Sequence, residues 1–215
     1  MSLGFLDRWF QRQPDRPAAS LDEIRRSFNE AANDEEHFPS TIDPRIWHVQ
    51  LLLKYFGDLT GKRVLDVGSG KGRFARVILD RNPESRVYAF DLAEAMLRHV
   101  GAGIERCCGS MTTLPFATCS FEAAYATESL EHAVDIEGAV AEICRVVTPG
   151  GRIVIIDKNA EQWGRLKTPE WERWFRRPEL EKLLRRHCRQ VDSEFISYWE
   201  DVPADGLFLA WRAEK

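Results

Sequence analysis

No apolar stretch in this 215-residue chain approaches the ~18 residues that a bilayer-spanning helix needs, so a helical membrane protein is not expected. CxxC pairs are missing as well. The five cysteines, Cys107, Cys108, Cys119, Cys144 and Cys188, build no ligand ladder with the histidines, so no metal site is expected. Their odd number points to reduced thiols in a cytoplasmic setting. The adjacent Cys107 and Cys108 read as strand positions, with a soft-metal pair as the alternative. A surplus of positive charge is also lacking: the net charge of −4 offers phosphate polymers no global attraction, and nucleic acid is not an expected partner. There is no internal repeat and no low-complexity segment. The opening MSLGFLDRWFQRQPDRP does not read as a secretion signal, because Asp7 and Arg8 break its apolar residues. Leu3, Leu6, Trp9 and Phe10 fit one face of a short helix, packed on its own domain or in weak contact with a membrane surface or partner.

What is present is an ordinary globular composition, 44% hydrophobic and 30% charged, in a length that fits one large domain with a small extension. Ser20 with Glu23 makes a capping box and opens a helix carrying Leu21, Ile24 and Phe28. After the polar loop AANDEEHFPST, Asp43–Pro44 starts a second helix with Ile46, Val49, Leu53 and Phe56 in register. Residues 1–60 are thus read as a helical extension and 61–215 as the main domain. From Arg63 onward, strands alternate with helices: Val64–Val67, Arg86–Phe90, Ile104–Cys108, Phe121–Ala126 and Ile153–Ile156 are strands. Pro178 opens a last helix, and Val191–Tyr198 and Leu207–Arg212 close the chain as two strands. Such alternation predicts an α/β fold, a mostly parallel sheet with helices on both faces. The final strands have no helix between them, so one of them runs antiparallel.

The stretch VLDVGSGKGRF, residues 64–74, ends its first strand in three glycines within five positions. A glycine turn opening a helix suits a nucleotide-like ligand at the sheet's carboxyl edge. The alternative is a tight connection that binds nothing. The dinucleotide fingerprint G-x-G-x-x-G fails, because Arg73 stands where its third glycine belongs, and the P-loop pattern is absent. Asp66 ends the strand, where a carboxylate repels pyrophosphate and favours a cationic ligand. Asp91 closes the next strand and suits the two hydroxyls of a ribose, or a helix N-cap. Together they describe a pocket for a positively charged nucleoside without phosphate.

At these residues the chain resembles a known family. VLDVGSGKGRF, VYAFDLAEAML, GSMTTLPFATCSFEAAYATESLEHAVD and EICRVVTPGGRIVII follow the order and spacing of class I S-adenosylmethionine-dependent methyltransferases. The likeness covers about residues 45–215 and is nearest the small-molecule branch, similar to the ubiquinone and menaquinone biosynthetic methyltransferases. It implies a Rossmann-like sheet of seven strands ordered 3-2-1-4-5-7-6, with strand 7 antiparallel. It also implies S-adenosylmethionine as cofactor and S-adenosylhomocysteine as product. Asp66, Gly68, Ser69, Gly70 and Gly72 then line the methionine and ribose part, Asp91 holds the ribose hydroxyls, and Leu92 lies against the adenine. Ser110, with Met111, takes the adenine-edge position where many relatives carry an acid; its hydroxyl can still accept from the adenine amino group. Thr127 and Glu128 fall beside the methyl-bearing sulfur.

Methyl transfer from a sulfonium is an in-line displacement, and much of the work is holding the acceptor aligned. A base is needed only where the acceptor keeps a proton. Candidates are Glu128, His132 and Asp157 at the sheet edge, with His37 and His48 from the N-terminal region. Glu131–His132 also has a structural reading, and Asp157 that of a turn cap. Residues 161–190 hold nine Lys or Arg against five Glu, interleaved with Trp163, Trp171 and Trp174. That segment fits an anionic or aromatic small-molecule substrate or a carrier protein, or else a solvated helix with tryptophans in the core. The expected activity is methylation of a small organic acceptor. Methylation of RNA or protein, and a cofactor-binding pseudoenzyme, are the alternatives; the position after strand four reads Thr-Glu-Ser-Leu, not Asn/Asp-Pro-Pro-aromatic.

Overall fold

The computed structural model describes residues 19–215, and the expected helix around residues 3–10 lies outside the described residues. α1 (Leu21–Ala31) begins at the capping box: the Glu23 N–H donates to Ser20 Oγ at 3.2 Å, and the Ser20 N–H donates to the Glu23 carboxylate at 2.7 Å. α2 (Trp47–Phe56) starts later than its periodicity implied. The Asp43 carboxylate accepts from the Arg45 N–H and guanidinium, which holds a turn through residue 46 and delays the helix.

The alternating part follows as β1 (Arg63–Val67), α3 (Arg73–Arg81), β2 (Arg86–Asp91), α4 (Glu94–Leu97), β3 (Glu105–Cys108) and β4 (Phe121–Thr127). Then come α5 (Ile136–Val146), β5 (Val147–Lys158), α6 (Arg177–Leu184), β6 (Gln190–Ile196) and β7 (Phe208–Glu214). The seven strands form one sheet, ordered β3-β2-β1-β4-β5-β7-β6, with β7 antiparallel to both its neighbours. The period-two alternation of β1 splits its side chains between two cores. Leu65 and Val67 pack with Ile143 of α5 and Leu180 of α6, while Val64 packs with Leu52 of α2 and Ile78 of α3.

β5 begins at Val147, ahead of the Pro149–Gly150–Gly151 turn. Phe121 of β4 pairs with Val147 and Ala123 with Arg152, so the turn is a bulge inside a longer strand. Cys107 is half-buried and Cys108 exposed on β3, the sheet's edge. All five cysteines are free.

Past β5 the chain turns back on itself. The Phe175 N–H donates to the Lys158 carbonyl at 3.0 Å, the Ala160 N–H to the Phe175 carbonyl at 2.9 Å, and the Arg173 N–H to the Glu131 carbonyl at 2.8 Å. This return lays residues 169–172 over the carboxyl ends of β4 and β5. Trp174 is buried beneath it, edge-on to Trp163.

Candidate cofactor and acceptor site

A cavity of about 300 Å³ opens at the carboxyl edge of the sheet, over β1, β2 and β4. At one end the glycine turn after β1 faces Asp91 and Leu92 from β2. The amides of this turn are already engaged. Those of Gly68 and Ser69 donate to the Phe90 carbonyl at 2.7 and 3.0 Å, Gly70 to Asp91 Oδ2 at 2.7 Å, and Gly72 to the Ser69 carbonyl at 2.9 Å. These four amides are not left to receive a phosphate, in keeping with a phosphate-free nucleoside.

Asp91 stands at the lining of the cavity. Its Oδ1 accepts from the Ala93 N–H at 2.8 Å and its Oδ2 from Gly70, so each oxygen keeps a lone pair beside the cavity. The N-cap of α4 is Ala93, so the N-cap alternative for Asp91 falls. Burial raises the Asp91 carboxyl above the usual carboxylate range. Ser69, Ser110, Met111, Thr127, Glu128 and His132 line the cavity too, and His37 stands at its rim, its Nδ1 2.8 Å from Asp34 Oδ2. Ser110 Oγ pairs with Thr112 Oγ1 at 2.7 Å.

Asp66 is absent from the residues that line the cavity. It is 1% exposed and sits under the turn on the α3 side of the sheet, close to the Tyr125 hydroxyl but without a complete hydrogen bond to it. Burial pushes its carboxyl up to about 8, so it is largely protonated at neutral pH and brings no charge to a cationic ligand. The folded state then holds a proton that the unfolded state has lost above about pH 4, so this group's contribution to stability falls as pH rises from 4 through 8. Asp66→Asn is expected to remove that slope. The variant should gain about 2 kcal/mol on the wild type between pH 5 and pH 6.5 in urea unfolding, and parallel curves would refute this.

Gly72 is also absent from the lining; it caps α3, and a Cβ there would meet Val100 at 3.0 Å. His48 is buried away from the cavity between Tyr198 and Phe208, and burial takes its pKa down to about 4. Asp157 is likewise beneath the surface, its carboxylate accepting from the Glu131 and Lys158 N–H groups as a turn cap. None of the nine cations of residues 161–190 lines the cavity. Arg165, Arg173 and Arg186 pair instead with Asp205, Glu179 and Glu137. The anionic-substrate expectation drew on those charges and loses that support.

The other end of the cavity was not legible. α1 and its loop bring Phe28, Phe38 and Pro39 over it, and Phe28 meets His132 edge to face at 4.9 Å. Lys71 of the glycine turn, though buried, reaches Glu35 Oε1 at 2.6 Å and the Asp34 carbonyl at 3.2 Å, tying this loop to the turn. Arg73 Nη2 stands 3.5 Å from Glu128 Oε1, and Glu128 has φ +51, a left-handed conformation costly outside glycine. Glu131, Lys158 and Glu172 complete this end. The acid and base atoms of Glu131, His132 and Glu172 lie within 4.8 Å of one another, and the Lys158 ammonium is the cation among the two glutamates. Arg73 was visible as a missing glycine, but nothing in the sequence pointed from it to Glu128.

Residues 65–155 match the model of a methyltransferase domain. Demethylmenaquinone methyltransferase of Renibacterium salmoninarum is 31% identical over 172 residues, 78% of this chain and 68% of that protein. The chain belongs to the class I S-adenosylmethionine-dependent methyltransferases. The ubiquinone/menaquinone biosynthesis C-methyltransferase of Paracoccus denitrificans is 32% identical over 122 residues, which cover 53% of this chain but only 48% of that one. The matched region therefore spans about half to two thirds of these relatives. A solved S-adenosylmethionine-dependent methyltransferase from Thermotoga maritima has the same fold, with a TM-score of 0.66 at 20% identity over 89% of this chain and 99% of that one.

The family's cofactor suits the residues present. A Cβ built on Gly70 meets nothing within 4 Å, which leaves open space at a cavity-lining position. Ser69 Oγ is buried at the lining without a hydrogen-bond partner, and Asp91 keeps its two lone pairs. No helix among the described residues is long and apolar enough to cross a membrane.

Proposed function

We propose that this chain moves a methyl group from S-adenosylmethionine to a small organic acceptor by in-line displacement, in the cytoplasm. One observation carries the reading: the Asp91 carboxylate borders a cavity beside a glycine turn whose amides are already engaged. That arrangement favours a ribose and disfavours a phosphate. Gly68, Ser69 and Gly70 would flank the methionine part, Asp91 the ribose, and Leu92, Ser110 and Met111 the adenine. Bound there, the cofactor supplies an electrophilic methyl group on a sulfonium. Thr127 and Glu128 close the lining between this half and the aromatic end, where Phe28 and Phe38 suit a flat acceptor. His132 and Glu128, with His37 at the rim, are the available bases. The free cysteines support a reducing compartment, and the acceptor named for the Renibacterium relative, demethylmenaquinone, is a first compound to try.

Residues 1–60 act as a lid in this reading, because α1 and its loop roof the acceptor end and Lys71 latches them down. Calorimetry with S-adenosylmethionine and S-adenosylhomocysteine is the first test. A folded chain that binds neither overturns the function. Deleting residues 1–40 should leave cofactor binding largely present and abolish transfer of a tritiated methyl group to any acceptor that the full chain uses. Full turnover without those residues would refute the lid.

A further inference from the structure

We propose that Glu131, Lys158 and Glu172 are positioning residues that make His132 the group receiving the acceptor's proton during methyl transfer. The inference rests on the methyltransferase reading and specifies how its acceptor end works. His132 Nε2 lies 3.7 Å from Glu131 Oε1 and 3.9 Å from Glu172 Oε1. The Lys158 ammonium hydrogen-bonds to Glu131 Oε1 and stands 3.5 Å from Glu172 Oε2. Trp174 Nε1 donates to Glu172 Oε2 at 2.9 Å, which fixes that carboxylate from below. Phe28 meets the imidazole edge to face, so an aromatic ring and two carboxylates neighbour it.

The charges in this cluster explain what the arrangement is for. Taking several ionic side chains out of water is costly, and a purely structural plug at this spot is better made of apolar residues. Ionisable groups gathered with charge partners at a cavity wall are a physical signature of a working site. Burial pushes the Glu131 and Asp157 carboxyls up, and the charge of Asp157 adds to the rise at Glu131. Burial opposes the charge on Lys158, yet the carboxylates of Glu131, Asp157 and Glu172 hold its pKa above the usual lysine value. The two glutamates beside His132 face the single ammonium of Lys158, and a proton arriving on the imidazole adds a second positive charge next to them.

Methyl transfer delivers that proton at the right moment. A lone pair of the acceptor forms the new bond to the methyl carbon. The carbon–sulfur bond breaks with its electron pair staying on sulfur, and the acceptor's proton passes to His132. The positive charge lost from the sulfonium reappears on the imidazolium, beside carboxylates that favour it. His132 later releases the proton to water. The groups near His132 are Glu131 on its own turn, Lys158 from β5 and Glu172 from the returning segment, with Asp157 behind Glu131 and Lys158. Glu128 at the end of β4, Lys71 and Arg73 after β1 and His37 line the same cavity, and α1 brings uncharged Phe28 against the ring. Asp135, Glu137, Arg173, Glu179, Lys182 and Arg186 line a hollow on the other side of His132.

No acceptor is needed for the test. Full-length protein labelled at its five histidines can be titrated by NMR in complex with S-adenosylmethionine and with S-adenosylhomocysteine, with His132→Asn to assign the signal. His132 should take up its proton at a pH higher by about half to one unit in the S-adenosylhomocysteine complex, where the sulfonium charge is gone. Lys158→Met should raise its titration further, Glu172→Gln should lower it, and Lys158→Arg should restore it. Glu172→Gln and Lys158→Arg keep size and hydrogen bonding, so they carry the test if Lys158→Met fails to fold. Identical His132 titration in the two complexes, or in wild type and Glu172→Gln, overturns the proposal. Such a result with both complexes formed leaves the methyltransferase reading standing, whereas failure to form either complex removes that reading.

Discussion

Gly68→Ala is expected to cost this protein about 4 kcal/mol of stability and to abolish cofactor binding with it. Two independent effects add. Gly68 has φ +73, where a side chain costs about 1–2 kcal/mol. The new Cβ would also fall 2.4 Å from Ser129 Cβ and 2.7 Å from Ser129 Oγ. Ser129 cannot swing aside freely, because its hydroxyl donates to the Val67 carbonyl at 2.7 Å and its residue is buried. Overpacking of this kind adds roughly 1–3 kcal/mol. Gly70→Ala is the control. Its φ of +54 carries a similar strain, but its Cβ meets nothing within 4 Å. It should lose only about 1 kcal/mol of stability and still weaken the cofactor, because the methyl group enters space at the lining. Urea unfolding and calorimetry on both variants separate the two roles. Equal stability losses would show that Ser129 gives way and that the close packing is not the reason for Gly68.

These two glycines show where the sequence spoke and where it stopped. Three glycines in one turn announced a special backbone, and the strand-to-helix order placed it at the sheet edge. Which glycine yields to protein and which to ligand depends on Ser129, sixty-one positions from Gly68 and invisible in any local pattern. Asp66 lies off the lining for a related reason. Its place at the end of an apolar strand was plain, but the strand's alternation aims it with Val64 toward the α3 face, away from the cavity. α2 began late because Asp43 found Arg45, a local hydrogen bond that competes with helix formation. The cluster around His132 was least legible of all. Glu172 reaches Lys158 only because the chain after β5 folds back and pairs Asn159 with Phe175. Hydrophobic periodicity carries no record of such a return, and a glutamate among tryptophans and arginines reads as surface.

Asp91→Ala is expected to weaken S-adenosylhomocysteine binding on the order of 100-fold while leaving the fold recognisable. Hydrogen bonds to a charged acceptor are worth about 1.5–3 kcal/mol, and the cofactor loses its ribose acceptors together with the shape of the turn. The second loss follows from the two backbone groups that Asp91 serves. Without the carboxylate, the N–H groups of Gly70 and Ala93 lose partners at 2.7 and 2.8 Å. Leaving buried donors unpaired costs about 1–3 kcal/mol each, so the free protein should also unfold at lower urea. Asp91→Asn divides the two contributions. Its amide oxygen can still accept one backbone N–H, but its NH2 group cannot accept a ribose hydroxyl. It should keep more of the stability than of the affinity, and the gap between those losses measures what the carboxylate does for the ligand. Affinity unchanged in Asp91→Ala, with unfolding shifted, would make Asp91 a turn fastener alone and would move the ribose elsewhere in the cavity.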